Sequence, residues 1–394
     1  MKIAFIGPFG LRPKSTMSRR ALPMAQALAA RGHTLHLILP PWDCLQDTGQ
    51  TWDENGVRIH NIPLPPRIPL LQHLLITCRL VQEALAIGPD VIHCFKPIAY
   101  AGLVATIFWF THKLRLTKAR LVIDADDWED AWSEIRDYPW LLKSFLALQE
   151  RWGLTHCQAV TVASRALETI VWSLGVAPDR VFHVPNGIPF RRSCTPSADD
   201  VRGDHQLADC PVILLYTRFV EFAVEHVIDI LRRVLDEVPE TRLLVVGKGF
   251  SGEEERLLAL AGEAGIAHRV TYAGWIDASH LPAYLAAAHV AIYPCNDNLI
   301  NRAKCAVRLI DLMAAGLPVV AEGVGEVRTY IEHHVSGLLV EPGDVETFAH
   351  DAIQLLRDEE LRAKIGRGAR QRIRQGFNWE KLVETVESAY LLGS

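Results

Sequence analysis

Residues 301–326 read NRAKCAVRLIDLMAAGLPVVAEGVGE. The pattern predicts a loop, a helix over residues 306–315, a tight stop, a short buried strand and a second loop. Leu309, Ile310, Leu312 and Met313 give the helix its apolar surface within a run of good helix formers. Gly316 stands where helices close in left-handed backbone, and Pro318 prevents continuation. Lys304, Arg308 and Asp311 fall at i, i+4 and i+7, the spacing of one helix face. The first amides of a helix lack partners and its dipole is positive there, so a helix start attracts anions. Two cations at that start suit a diphosphate, and a carboxylate one turn further suits a pair of sugar hydroxyls. The layout is that of a site for a nucleotide-linked substrate.

A chain of 394 residues is long enough for two domains with separate cores. Its net charge of −5 argues against general nucleic-acid binding, which wants a basic surface. The eight cysteines form no CxxC pair and no metal-ligand spacing, and read as reduced thiols of a cytoplasmic protein. MKIAFIGPFG reads as a strand and turn, with an apolar part too short for a secretion signal. The longest apolar run, Ile98 to Phe110, is shorter than the roughly 20 residues of a membrane span. The expectation is a soluble protein. The lesser reading of that run, with its tail of Lys113, Arg115, Lys118 and Arg120, is peripheral contact at the inner membrane face.

Residues 2–40 read as strand, glycine-containing loop, helix and strand, a βαβ unit without GxGxxG, which weakens a nicotinamide-dinucleotide reading. PDVIHCFKP (89–97) is a further strand, and it sets His93 and Lys96 at a carboxyl end, where open α/β sheets bind ligands. RLVIDADDWED (120–130) delivers Asp124, Asp126, Asp127 and Asp130, with Glu129 among them. One of these carboxylates could take an acceptor proton. Asp124 and Asp126 could hold a divalent cation, the weaker alternative. The acids could also bind hydroxyls or cap the next helix. Helix 138–153 carries Trp140 and Trp152, both expected in the core.

LIDLMAAGLPVVAEGVG resembles the donor-site signature of glycosyltransferase family 4, the retaining sugar transferases of GT-B fold. The family pattern places a glutamate at each end of an eight-residue step. Asp311 takes the second acidic place, and Ala303 stands in the first. The resemblance runs from the first strand to the last helix. It implies two Rossmann-like α/β domains with parallel sheets facing a cleft, and a C-terminal helix crossing back to the N-terminal domain. The expected boundaries are 1–190 for an acceptor domain, 191–210 for a linker, 211–375 for a donor domain and 376–394 for the last helix. The family's aspartate after Asn186-Gly187 is replaced by Pro189.

By resemblance, Gly7 and Gly10 approach the donor, and Arg218, at the end of PVILLYTRF, contacts its diphosphate. The lysine that usually follows is missing, with Ala223 and Val224 in its region, and Arg302, Lys304 or Arg308 is expected to replace it. Lys248 in Gly247-Lys248-Gly249 is a further phosphate candidate, and Trp275 either stacks on the base or packs. Asp126 stands where the family often carries a histidine. Asp126 or Asp127 is the expected acceptor contact or base, with Arg218 and Lys304 stabilising the leaving diphosphate, and with His93, Lys96 and Asp126 toward the acceptor. The resemblance implies a nucleotide diphospho-sugar donor, a glycan, lipid or small-molecule acceptor, no cofactor and no metal. Its rivals are a non-catalytic nucleotide-binding scaffold and a sugar-nucleotide epimerase or hydrolase.

Overall fold

The computed structural model describes residues 1–14, 16–68, 71–135, 138–188 and 198–392. The chain divides into two units: Met1–Pro189 with Ala303–Cys305 and Asn378–Ser394, and Phe190–Arg302 with Ala306–Phe377.

The first unit holds β1 (Lys2–Ile6), β2 (Thr34–Leu39), β3 (Thr51–Glu54), β4 (Val57–Asn61), β5 (Val91–Phe95), β6 (Arg120–Ala125), β7 (Ala159–Val162) and β8 (Val181–His183). They form one sheet in the order β3-β4-β2-β1-β5-β6-β7-β8, parallel except for the β3–β4 pair. Helices on both faces explain why β1, β5 and β6 are apolar runs rather than alternating ones. Ile3 sits opposite Leu35 on one side and Val91 on the other. The last helix, Trp379–Leu391, belongs to this unit. It buries Trp379, Val383, Val386 and Tyr390 among the same residues that cover β1 and β2.

The second unit holds β9 (Val212–Thr217), β10 (Arg242–Gly247), β11 (Val270–Gly274), β12 (Val290–Tyr293), β13 (Val319–Glu322) and β14 (Leu338–Val340). All are parallel, in the order β11-β10-β9-β12-β13-β14. The order reverses between β9 and β12, and such switch points open ligand crevices beyond the carboxyl ends of the strands. Helix Val224–Glu237 buries Val227, Ile228, Leu231 and Val234, the stripe that packs on this sheet.

Two expectations change. Of the linker expected at 191–210, residues 191–197, like Pro189, lie outside the described residues. Residues 198–210 are part of the second unit: helix Ala198–Asp204 buries Val201 against Ala283 and Ala287, and the Arg202 guanidinium donates to the Ala287 carbonyl at 2.8 Å. Residues 303–305 belong to the first unit, where Ser164 Oγ donates to the Ala303 carbonyl and the Asn186 amide to Cys305 Sγ at 3.1 Å. Among the described residues, no helix is long and apolar enough to cross a membrane.

Candidate functional site

The second unit assembles its site from the carboxyl ends of four adjacent strands. Arg218 follows β9 directly, Phe250 stands three residues beyond β10, and Trp275 follows β11. The Arg218 guanidinium lies 4.5 Å from the Phe250 ring centre and 5.3 Å from that of Trp275. Both rings are mostly exposed, at 62% and 60%. Aromatic faces on either flank of a guanidinium leave flat surface for a nucleobase beside a cation for its phosphates. Gly247, at φ +128°, makes this approach possible, since a Cβ there would lie 1.8 Å from the Thr217 carbonyl oxygen.

Helix Val307–Ala315 brings Arg308 to the same place, and Gly316 closes it in left-handed backbone at φ +79°. Arg308 donates to Glu221, a buried acid four residues after Thr217. The Nε atoms of Arg218 and Arg308 are both buried and without a hydrogen-bond partner. Burial, and then the like charge of Arg308, lowers the pKa of Arg218 from its ordinary value. The pair therefore carries more positive charge than Glu221 offsets, with donors still unspent. Such unspent donors beside excess positive charge suit an anion.

Buried polar groups hold the site's walls. The Glu221 carbonyl accepts from the Asn296 amide at 2.7 Å and from Asn301 Nδ2 at 2.7 Å, which joins the loops after β9 and β12. Glu322, at the end of β13, accepts from the amides of Cys295 and Gly343 at 2.6 Å each, and His226 Nε2 lies 3.0 Å away. Asp311 sits one turn beyond Arg308 and is half-buried. The Lys304 expectation needs correction. The helix starts at Val307, so Lys304 precedes it, within the segment that belongs to the first unit, and shares no helix face with Arg308 and Asp311. Lys248 is exposed on the loop after β10, and Gly325 presses on the Arg302 backbone.

In the first unit the acids of β6 divide by depth. Asp124 is fully buried and accepts two bonds from Arg20, at 2.7 Å each, and one from Thr161 Oγ1 at 2.6 Å. Burial opposes its charge, but the Arg20 guanidinium prevails and holds the carboxyl below its ordinary range. Asp124 is thus a structural ion-pair partner. Asp126, Asp127 and Glu129 converge within 4.8 Å of one another, close enough to share a cation. The cation there is Lys96, whose Nζ lies 3.0 Å from Asp126, 2.9 Å from Asp127 and 2.5 Å from Glu129. Lys96 holds this position from left-handed backbone at φ +52°, an uncommon state for a residue with a Cβ. Its contact with Asp126 has ion-pair distance without hydrogen-bond geometry, so Asp126 Oδ1 stays unbonded. Burial first, then Asp127 and Asp124, against the pull of Lys96, push Asp126 up to about 6. Glu150, fully buried, caps the next helix through the amides of Glu129 and Asp130 at 2.8 and 2.9 Å.

His93 is corrected as an acceptor ligand. It is fully buried, with Nδ1 2.8 Å from Tyr390 Oη and Nε2 3.1 Å from Thr161 Oγ1. Both ring nitrogens are spent inside the core, and burial depresses its pKa to about 4. Lys96 is turned to the acids rather than offered to a ligand. Gly7 packs against Met17, whose Sδ would be 2.6 Å from a Cβ there, and the Gly10 amide points at Asp43 Oδ1, 3.4 Å away.

Residues 199–372 match the family model described as glycosyl transferases group 1, and residues 15–187 that of a glycosyl transferase 4-like domain. The chain belongs to the family 4-like glycosyltransferases. It is 28% identical over 247 residues to the N-acetyl-alpha-D-glucosaminyl L-malate synthase of Bacillus anthracis, an alignment covering 61% of each chain. So the match spans less than two thirds of that relative. The phosphatidyl-myo-inositol mannosyltransferase of Mycobacterium leprae is 23% identical over 99% of this chain and 96% of its own. Among solved structures, Anabaena Alr3699/HepE in complex with UDP-glucose superposes with a TM-score of 0.72 at 18% identity, covering 98% of this chain and all of that one. The family 4-like assignment thus comes with a GT-B fold.

The sequence reading missed Glu221, Phe250, Arg20 and Glu150. Phe250 had a signal, since an aromatic directly after a Gly-x-Gly turn has little core to join. Arg20 had none, being one of four cations in a loop that reads as solvated.

Proposed function

We propose that this chain transfers a sugar from a nucleoside diphospho-sugar to a glycan, lipid or small-molecule acceptor, with retention of anomeric configuration. The observation that carries the proposal is a pair of half-buried guanidiniums, Arg218 and Arg308, whose buried Nε donors are unspent at the switch point of the second sheet. Arg218 and Arg308 hold the diphosphate, and their charge offsets what grows on the departing phosphate oxygen. Phe250 and Trp275 flank the base. Asp311 takes the ribose hydroxyls. A neighbour of the same fold carries UDP-glucose, which supports a donor of this class. Lys304 and Lys248 add cations at the margins.

In the first unit Asp126 is the acceptor-side group. With a pKa near 6 it is ionised at neutral pH, and its Oδ1, ion-paired with Lys96 but accepting no hydrogen bond, takes a hydroxyl proton or orients the acceptor. Lys96 fixes its position and that of Asp127 through the shared ammonium. The reaction needs no metal in this reading, because cations of the chain do the electrostatic work.

A panel of uridine, guanosine and adenosine diphospho-sugars, with and without acceptor extract, tests the proposal. The expected result is acceptor-dependent release of one nucleoside diphosphate, with the donor's anomeric configuration kept in the product by NMR. Binding without turnover, or no binding at all, would favour a scaffold. A changed sugar without acceptor would favour an epimerase.

A further inference from the structure

Helix Trp140–Thr155 reverses the usual pattern of a surface helix. Trp140, Leu141, Leu142, Phe145 and Leu148 are exposed, with Trp140 at 72% and Leu148 at 66%, whereas Gln149 and Glu150 are buried. Leu141, Phe145, Leu148 and Trp152 fall at i, i+4, i+7 and i+11, one continuous stripe. The sequence reading placed Trp140 in the core, and the structure turns it to solvent. The stripe does not end with its own helix. Phe110, half exposed, stacks on Trp152 with ring centres 6.1 Å apart, and Leu114 is one turn beyond Phe110. Helix Ala99–Lys113 carries Phe110, and at its end Leu114 and Leu116 are exposed at 66% and 74%, interleaved with exposed Lys113, Arg115 and Lys118. Solvent-facing helix surface is ordinarily polar, and an apolar track of this length is a docking surface or a liability.

Charge identifies the occupant. The exposed turn at residues 113–118 contains Lys113, Arg115 and Lys118 and no acid, and residues 138–149 contain Lys143 and no acid. Three described carboxylates beside this helix are engaged: Glu150 caps a helix, Glu129 pairs with Lys96 and Asp130 with Arg151. An apolar stripe ending in basic residues, with a Trp at its outer end, matches the layered chemistry of an anionic bilayer surface.

We propose that the Trp140–Leu148 stripe and the Lys113–Lys118 turn together form a peripheral docking face for anionic phospholipid membranes. The stripe enters the headgroup boundary, and Lys113, Arg115 and Lys118 meet lipid phosphates. This inference does not depend on the donor chemistry proposed above, and nothing in its test reads sugar transfer.

Flotation of the full chain with phosphatidylglycerol–phosphatidylcholine vesicles, and with phosphatidylcholine alone, decides it. Three surface cations predict a preference for the anionic vesicles on the order of a hundredfold, falling as salt rises. Two triple variants should each lose at least about tenfold of that binding: Leu141→Ser/Phe145→Ser/Leu148→Ser and Lys113→Ala/Arg115→Ala/Lys118→Ala. Their melting curves should match that of the parent. If the apolar variant fails to fold, the charge variant still tests the claim. Equal binding to both vesicle types, no binding, or unaltered binding by the charge variant overturns it. So does a self-association of the parent that the apolar variant abolishes without any vesicle binding, which would make a second copy the occupant.

Discussion

His93 lies within β5 and Asp126 directly follows the neighbouring β6, and they differ in what surrounds them. The ring of His93 is fixed by Tyr390 and Thr161, and burial holds its pKa near 4 against an ordinary 6.5. A histidine with a depressed folded pKa contributes stability that is complete above 6.5 and lost as pH falls through 4. The term is about 3 kcal/mol. Urea midpoints measured between pH 7 and pH 4 should therefore fall more steeply for the parent than for His93→Gln, and parallel profiles would refute the buried neutral ring. Asp126 makes a kinetic prediction. Asp126→Asn should lower the transfer rate by about 10²-fold or more, the range of a lost proton acceptor, with nucleoside diphosphate affinity kept within threefold. The parent's rate should rise with pH through about 6, as the carboxylate forms. A normal rate in the variant removes Asp126 from the chemistry. Neither environment was legible in the sequence. DVIHCFK (90–96) and DADD (124–127) announce polar residues near strand ends, but depth is decided by Tyr390 and Lys96, which come from far along the chain or from the next strand.

The strand-to-helix turns of the second unit carry the proposed donor site, and they were the most legible part of the chain. Gly316, Pro318 and the apolar spacing of 307–315 gave helix, stop and strand within a residue, because each signal is local. Reading Lys304 into that helix was the error. The chain leaves one helix at Ala303 and re-enters the next at Val307, and residues 303–305 are held by Ser164 and Asn186, contacts that no periodicity records. Gly247 is the position where an element's geometry limits function. Its φ of +128° and the Thr217 carbonyl 1.8 Å from a Cβ make any side chain strained and colliding. Gly247→Ala should cost at least about 2 kcal/mol by urea denaturation. It should also weaken diphosphate binding, since Thr217 carries Arg218. Parental stability with parental affinity would show that the close approach is dispensable.

Each unit places its polar groups beyond the carboxyl ends of a parallel sheet, and the two sets have opposite character. The first offers acids organised by one lysine, and the second offers two guanidiniums steadied by one acid. Two parallel sheets and the family were legible because buried parallel strands and βαβ spacing repeat along the whole chain, whereas the strand order came only from the structure. The unit boundaries were not, since helix 198–204 and residues 303–305 are assigned by packing alone. Arg218 and Arg308 form the proposed diphosphate grip, and isothermal titration tests it directly. Uridine, guanosine and adenosine diphosphates would be titrated beside their nucleosides into the parent, Arg218→Ala and Arg308→Gln. Losing one charge-assisted contact predicts a drop of about 10- to 100-fold for the diphosphate that binds, with its nucleoside changed less than about threefold. Equal losses for diphosphate and nucleoside, or parental affinity in both variants, would contradict it.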